Sequence, residues 1–283
     1  MIVIYLGGGA MSGVFGAGVV AELEKANVYN KLEAVYGGSA GAMNAAFFLT
    51  KQTKMGRSIY WEDLTHDFIF PKKLIPSFIH RFIGTKNGHK INSIDIDYLF
   101  SLPRIKKLRL HKLPKIPFYT PLVNLNTKKL EYLDVREDPW NILRAAVSIV
   151  PYYSSPTIIK EIPYIDGAAA VSFGLKRLLK RHPKCRIIIV SNTPLQTKLL
   201  APVRKFIEGL AIRRMFGSSL NPFANYVRTL KEDIEIIKKN SRVFAVAPKE
   251  TIMRHYTSNR KKIIKLFKEG RRKGKEAIGI INN

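Results

Sequence analysis

The chain has 283 residues, 48 of them Lys or Arg against 21 Asp or Glu, for a formal net charge of +27. Its 46% hydrophobic content is ordinary for a globular protein and allows a substantial buried core in one domain, while no run of about 18 apolar residues predicts a transmembrane helix. The lone cysteine, Cys185, excludes an internal disulfide, fits a reducing cytoplasm, and reads as a small apolar residue opening a strand. The positive charge favours anionic partners such as phospholipid surfaces or nucleic acid, without choosing between them.

Met1 to Leu6 lacks a basic leader and runs into Gly7-Gly8-Gly9, so it predicts a buried strand followed by a turn rather than a signal peptide. Val14 to Asn27 predicts a helix with one polar flank, Leu32 to Tyr36 a second strand, and Ala40 to Thr50 a buried helix. Two β-turn-α units in tandem predict a parallel sheet covered by helices. From about 51 to 113, aromatics alternate with Lys, Arg and His around Pro71, Pro76 and Pro103, which reads as an insertion of short helices and loops.

Strands return at Pro117 to Asn126 and Lys129 to Val135, joined by a turn. Asn141 to Ile149 predicts a helix stopped by Pro151, and Ile158 to Ile165 a tight hairpin leading into Asp166. A basic helix over Phe173 to Arg181 and an apolar strand over Arg186 to Ser191 follow. The region from about 193 to 283 is basic and helical, interrupted by a last strand at Arg242 to Ala247. With no internal repeat or low-complexity linker, residues 1–283 read as a single domain.

Gly37-Gly38-Ser39-Ala40-Gly41 is a G-x-S-x-G sequence between a predicted strand and a predicted helix. Such a turn lifts a serine hydroxyl above the sheet, Gly37 and Gly41 allow strand and helix to approach, and the helix start aims unpaired N–H groups at the hydroxyl. If the first two strands are neighbours, Gly7, Gly8 and Gly9 lie beside Ser39, and their N–H groups with that of Ala40 form an oxyanion hole. A nucleotide phosphate loop is the rival, but Gly7 to Gly13 lacks the Lys-Ser/Thr ending and the sequence does not follow G-x-G-x-x-G.

Asp166-Gly167-Ala168 taken alone is an ordinary turn. It gains weight because the histidines make poor bases. His66, His80, His89 and His111 fall in the insertion, while His182 and His255, the two with the right chain order, lack small neighbours after a strand and read as surface or packing residues. No metal-ligand spacing appears, and no cofactor is called for.

A glycine triplet after strand one, G-x-S-x-G after strand two and D-G-A downstream together resemble the patatin-like phospholipases, over roughly Ile2 to Gly174. Arg144 to Pro151 is similar to that family's A-x-x-S-x-x-x-P element. The resemblance implies a three-layer α/β/α fold with a mostly parallel central sheet, Ser39 as nucleophile, Asp166 as its partner in a Ser-Asp dyad, and Gly7–Gly9 as the oxyanion loop. It implies phospholipid or related acyl-ester substrates and no metal or cofactor. The chain departs from the family pattern at Ser12, where a basic residue is common, and at Ala168, where a second glycine is. Two other functions remain open: an esterase or thioesterase on soluble acyl groups, and a weakly catalytic membrane- or nucleic-acid-binding protein. No nucleic-acid motif supports the latter. Mixed aromatic and basic stretches at 68–82 and Lys198 to Arg214 are the expected contacts for peripheral binding to anionic membranes.

Overall fold

The computed structural model describes residues 1–73, 76, 92–150, 152–153, 155–198, 210, 213 and 222–282. Its strands are β1 (Ile2–Leu6), β2 (Leu32–Gly37), β3 (Phe118–Asn124), β4 (Lys129–Asp134), β5 (Thr157–Ile159), β6 (Ile162–Asp166), β7 (Arg186–Val190) and β8 (Val243–Val246). The helices that position the site are α1 (Val14–Lys25), α2 (Ala40–Leu49), α3 (Thr53–Glu62), α4 (Ile96–Ser101), α5 (Pro103–Lys106) and α6 (Pro139–Val147). Further on come α7 (Leu175–Arg181), α8 (Leu195–Lys198), α9 (Pro222–Lys239) and α10 (Arg260–Asn282).

The strands form one sheet in the order β5-β6-β3-β2-β1-β7-β8, with β4 also paired to β3. Pairs β1/β2, β1/β7, β2/β3 and β7/β8 are parallel, whereas β3/β4, β3/β6 and β5/β6 are antiparallel. β1 is buried along its whole length because both faces of the central sheet are covered. Alternation divides its side chains. Ile2, Ile4 and Leu6 join the core under α1, α2 and α10, while Val3 and Tyr5 join the opposite core with Leu178 of α7 and Ile236 of α9. These are three layers, α/β/α.

Apart from Asn44, α2 is apolar on all sides and accordingly buried. In α10 the buried positions Ile263, Leu266, Phe267, Gly270, Gly274, Ala277 and Ile281 follow the helical period and pack on α1. The polar flank expected on α1 is partly internal, since Glu22 is buried and pairs with Arg271 of α10 at 2.5 Å. Asp233 of α9 is also buried, and its carboxylate accepts the backbone N–H groups of Phe173, Gly174 and Leu175 at 2.8, 3.1 and 2.7 Å. It thereby caps the start of α7, whose own N-terminus supplies no side-chain cap.

β3 is the strand that shapes the site. A strand has two edges, yet β3 has three partners. β4 pairs with Tyr119 to Asn124, overlapping both β2, which pairs with Phe118 and Tyr119, and β6, which pairs with Leu122 to Asn124. β2 and β6 must therefore share the other edge, one after the other. They run in opposite directions along it, so the end of β2 meets the end of β6. Pro121 occupies the gap between them. Phe118 bonds towards β4 through Val135, and Pro117 and Leu125 bond towards β2 and β6, so the odd-numbered residues face the shared edge. Pro121 lacks an N–H at a point where neither strand offers an acceptor.

Candidate active site

Ser39 lies on the turn from β2 into α2 with φ 51° and ψ −128°, a conformation that favours glycine and costs a side-chain-bearing residue about 1–3 kcal/mol. The turn is held by the Gly38 N–H donating to the Leu6 carbonyl at 3.0 Å. A Cβ on Gly41 would lie 2.1 Å from that same oxygen, so only glycine lets α2 start this close to β1. Ser39 is 8% exposed and Asp166 1% exposed.

Asp166 ends β6, and its Oδ1 accepts the Ala168 N–H at 2.8 Å. Both turns rest on Pro121. A Cβ on Gly38 would stand 3.7 Å from Pro121 Cγ, and one on Gly167 2.8 Å from Pro121 Cβ. The seam between β2 and β6 thus brings the turns that carry Ser39 and Asp166 against one residue, Pro121, from positions far apart in the chain. Tyr5 lies beneath it, its hydroxyl 3.0 Å from a Cβ built on Gly38. Burial first, then Tyr132, Asp233 and Asp166, push that hydroxyl well above the ordinary tyrosine range, so it stays protonated.

The glycine loop flanks Ser39 on the other side. A Cβ on Gly8 would approach Ser39 Cβ to 2.9 Å and Oγ to 3.7 Å. The expected role of Gly7 needs correction: its N–H donates to the Val190 carbonyl at 2.8 Å and is committed to the β1/β7 ladder. Gly8 and Gly9 follow after the ladder has ended, and among the described residues their N–H groups and those of Ala10 and Ala40 meet no backbone acceptor. Asn192, just past β7, donates from Nδ2 to the carbonyls of Gly7 (2.5 Å) and Gly8 (3.2 Å), and its Oδ1 accepts the Gly16 N–H at 2.8 Å.

An apolar cavity of about 60 Å³ opens beside Ser39 and Ala40. Met43 and Phe47 of α2, Ile59 of α3, Leu99 of α4 and Val147 of α6 form its walls, with Asn44 and Tyr60 as polar members. Much of this lining comes from the stretch read as an insertion. Phe68 belongs to it, and Phe68 and Ile69 are both buried, so these two side chains serve the interior rather than a lipid surface. Of the remaining membrane-contact expectation, 74–75, 77–82, 199–209, 211–212 and 214 lie outside the described residues, as does Pro151.

The histidines separate. His182 is a packing residue, buried at the far end of the sheet with Nε2 2.9 Å from the Tyr36 hydroxyl, and burial lowers its pKa. With Glu33 and Cys185 it forms a group whose ligand atoms lie within 4.8 Å of one another, but the N-terminal amine and Arg242 act on the same thiol and oppose a cation there. His255 instead sits against the glycine loop. Asn192 and Pro121 were not singled out by sequence reasoning, and His255 was read there as a surface or packing residue. Asn192 had a readable signal, a polar residue just beyond the carboxyl end of an apolar central strand.

An α/β sheet carrying a serine on a strand-to-helix turn, above an apolar cavity, is an architecture of ester hydrolases. The sequence profile described as patatin-like phospholipase matches residues 4–197, and the chain belongs to that family of lipid acyl hydrolases. It is similar to the uncharacterized protein YjjU of Escherichia coli (strain K12), with 25% identity over 257 residues, 85% of this chain and 66% of that protein. Among solved structures it aligns with VipD from Legionella pneumophila, at a TM-score of 0.45 and 12% identity, covering 97% of this chain and 66% of VipD. The chain therefore spans 66% of the length of each of these relatives. Among the described residues no helix is long and apolar enough to cross a membrane.

Proposed function

We propose that the chain is a phospholipase A-type acyl hydrolase in which Ser39 attacks the ester and Asp166 accepts its proton. The observation that carries this reading is the position of Ser39, strained and nearly buried, between the Asp166 seam and the mouth of an apolar cavity. The apolar lining suits the first methylenes of an acyl group next to the ester, and its few polar groups leave little to hold a polar substrate.

In the first step the Ser39 Oγ bonds to the ester carbonyl carbon while its proton passes to Asp166. Charge developing on the carbonyl oxygen falls to the N–H groups of Gly8, Gly9 and Ala40. Collapse breaks the bond to the alcohol, which leaves with the proton from Asp166. Water, deprotonated by the same carboxylate, then attacks the acyl-serine and frees the fatty acid and Ser39. A carboxylate of ordinary pKa, about 4, is a weak base for a serine, so the buried setting of Asp166 and the start of α2 must favour the charge-separated transition state.

The test is fluorophosphonate labelling with hydrolysis of p-nitrophenyl esters and phospholipid vesicles. Ser39→Ala and Asp166→Asn are expected to abolish turnover, and long-chain esters to be preferred. Labelling that survives Ser39→Ala would reject the nucleophile, and a preference for acetyl over long acyl groups would favour an esterase for soluble substrates. The net charge of +27 supports association with anionic membranes. Co-sedimentation that fails to favour anionic over neutral vesicles would remove that part of the reading.

A further inference from the structure

Ala10 is held against its own backbone preference, at φ 46° in the region that L side chains avoid, directly after Gly9 at φ 150°, where the lack of a side chain removes that penalty. Ala10 nevertheless lines the cavity next to Ser39. Such an arrangement persists only when its surroundings over-determine it.

The restraint acts on the Gly9 carbonyl. The Ser12 N–H donates to it at 3.0 Å and the Ser12 hydroxyl at 2.7 Å. His255, from the segment between β8 and α10, places Nδ1 2.9 Å from the same oxygen and 2.8 Å from Ser12 Oγ. With its hydrogen on Nδ1 the ring donates to the Gly9 carbonyl, the tautomer that avoids setting a nitrogen lone pair against that oxygen at 2.9 Å. The Ser12 hydroxyl, bonded to Gly9, then serves as a second acceptor for the ring. His255 is anchored in turn, because its own carbonyl accepts the Met11 N–H at 3.1 Å.

In a planar trans peptide, the carbonyl of one residue and the N–H of the next point in opposite directions. A carbonyl pinned on the His255 side therefore aims the Ala10 N–H the other way. Asn192 does the same for the two preceding peptides by holding the Gly7 and Gly8 carbonyls. We propose that His255 is a positioning residue that, with Ser12, locks the strained Gly9–Ala10 peptide so that the Ala10 N–H joins the oxyanion donors facing Ser39. This rests on the reading of Ser39 as nucleophile.

The experiment measures kcat per fluorophosphonate-titrated site, KM, and thermal melting for wild type, His255→Ala, His255→Asn and Ser12→Ala. His255→Ala is expected to lower kcat about 10²-fold, the effect of losing one oxyanion donor, with KM little changed. His255→Asn puts an amide Nδ2–H where the ring Nδ1–H was and is expected to recover most of the lost rate. Ser12→Ala should fall between them. Titrated sites exclude misfolded protein, so a residue that serves stability alone would lower the melting temperature and leave kcat per site at the wild-type value. That result overturns the proposal. So does a His255→Asn variant as slow as His255→Ala, which would mean that the imidazole itself transfers protons. A wild-type chain that no fluorophosphonate labels would overturn the hydrolase reading and this inference with it, an outcome distinct from a fast His255→Ala.

Discussion

Replacing Gly8 by Ala separates catalysis from stability at this site. The new methyl would sit 2.9 Å from Ser39 Cβ, whereas ordinary contacts begin near 3.4 Å. The loop or the turn must therefore give way by roughly half an ångström or more. Gly8 is exposed and its φ lies outside the left-handed region, so alanine meets no penalty from φ, and the clash with Ser39 is expected to cost the fold about 1–3 kcal/mol. The oxyanion geometry is less tolerant. A misplacement near 1 Å costs about 10²-fold in rate, and loss of one donor about 10²–10³-fold. Gly8→Ala should thus stay folded, with a melting temperature lower by roughly 2–12 °C, while kcat on a p-nitrophenyl ester falls between about 10- and 10³-fold. Burst kinetics would place the loss in acylation. Wild-type kcat in a variant that folds normally would refute the placement of this loop beside the reacting carbonyl.

Other substitutions test the elements that hold the site. Ser39→Gly removes the proposed nucleophile and relieves the strained turn. Net of the extra flexibility of glycine when unfolded, the inactive variant should gain about 1 kcal/mol, and equal or lower stability by denaturant titration would contradict the strain. Asp233→Ala leaves the N–H groups of Phe173, Gly174 and Leu175 without their carboxylate and should cost about 3 kcal/mol, seen as a melting temperature lower by roughly 6–12 °C. A shift under about 2 °C would show that solvent replaces the cap. His182 has its pKa lowered below the ordinary 6.5 by burial, so the unfolded chain binds a proton more readily. Its contribution is present above pH 6.5 and is lost as the pH falls towards the folded-state value. Part of the fall in stability between pH 7.5 and 5 should therefore vanish in His182→Gln, and parallel pH curves for the two proteins would contradict it.

The local parts of the fold were legible because they are written in short-range chemistry. Met1 to Leu6 and Arg186 to Ser191 are apolar runs flanked by turn residues, and they became β1 and β7. The Ile158 to Ile165 hairpin was legible without a turn glycine, although Lys160 and Glu161 both adopt positive φ, as a type I′ turn requires. The edge that β2 and β6 share on β3 was not legible. It depends on register between strands more than a hundred residues apart, and Pro121, its one local trace, looked like a strand residue. The region around 51–113 read as a peripheral insertion because its aromatics alternate with basic residues, yet Ile59, Phe68 and Leu99 point into the cavity. His255 was unreadable for a related reason. It lies in a non-periodic stretch, and its partner Ser12 is 243 positions away.

The seam between β2 and β6 also sets an order in time. The turn that bears Ser39 is made early in synthesis, Asp166 arrives long afterwards, and His255 later still. A chain leaving the ribosome therefore carries its serine first, without the carboxylate opposite it and with the Gly9–Ala10 peptide free to relax. If Ser39 and Asp166 act as proposed, hydrolysis has to wait until β6 has docked on β3 and the segment after β8 has closed over the glycine loop. On the proposed mechanism, connectivity alone withholds the chemistry from the nascent chain.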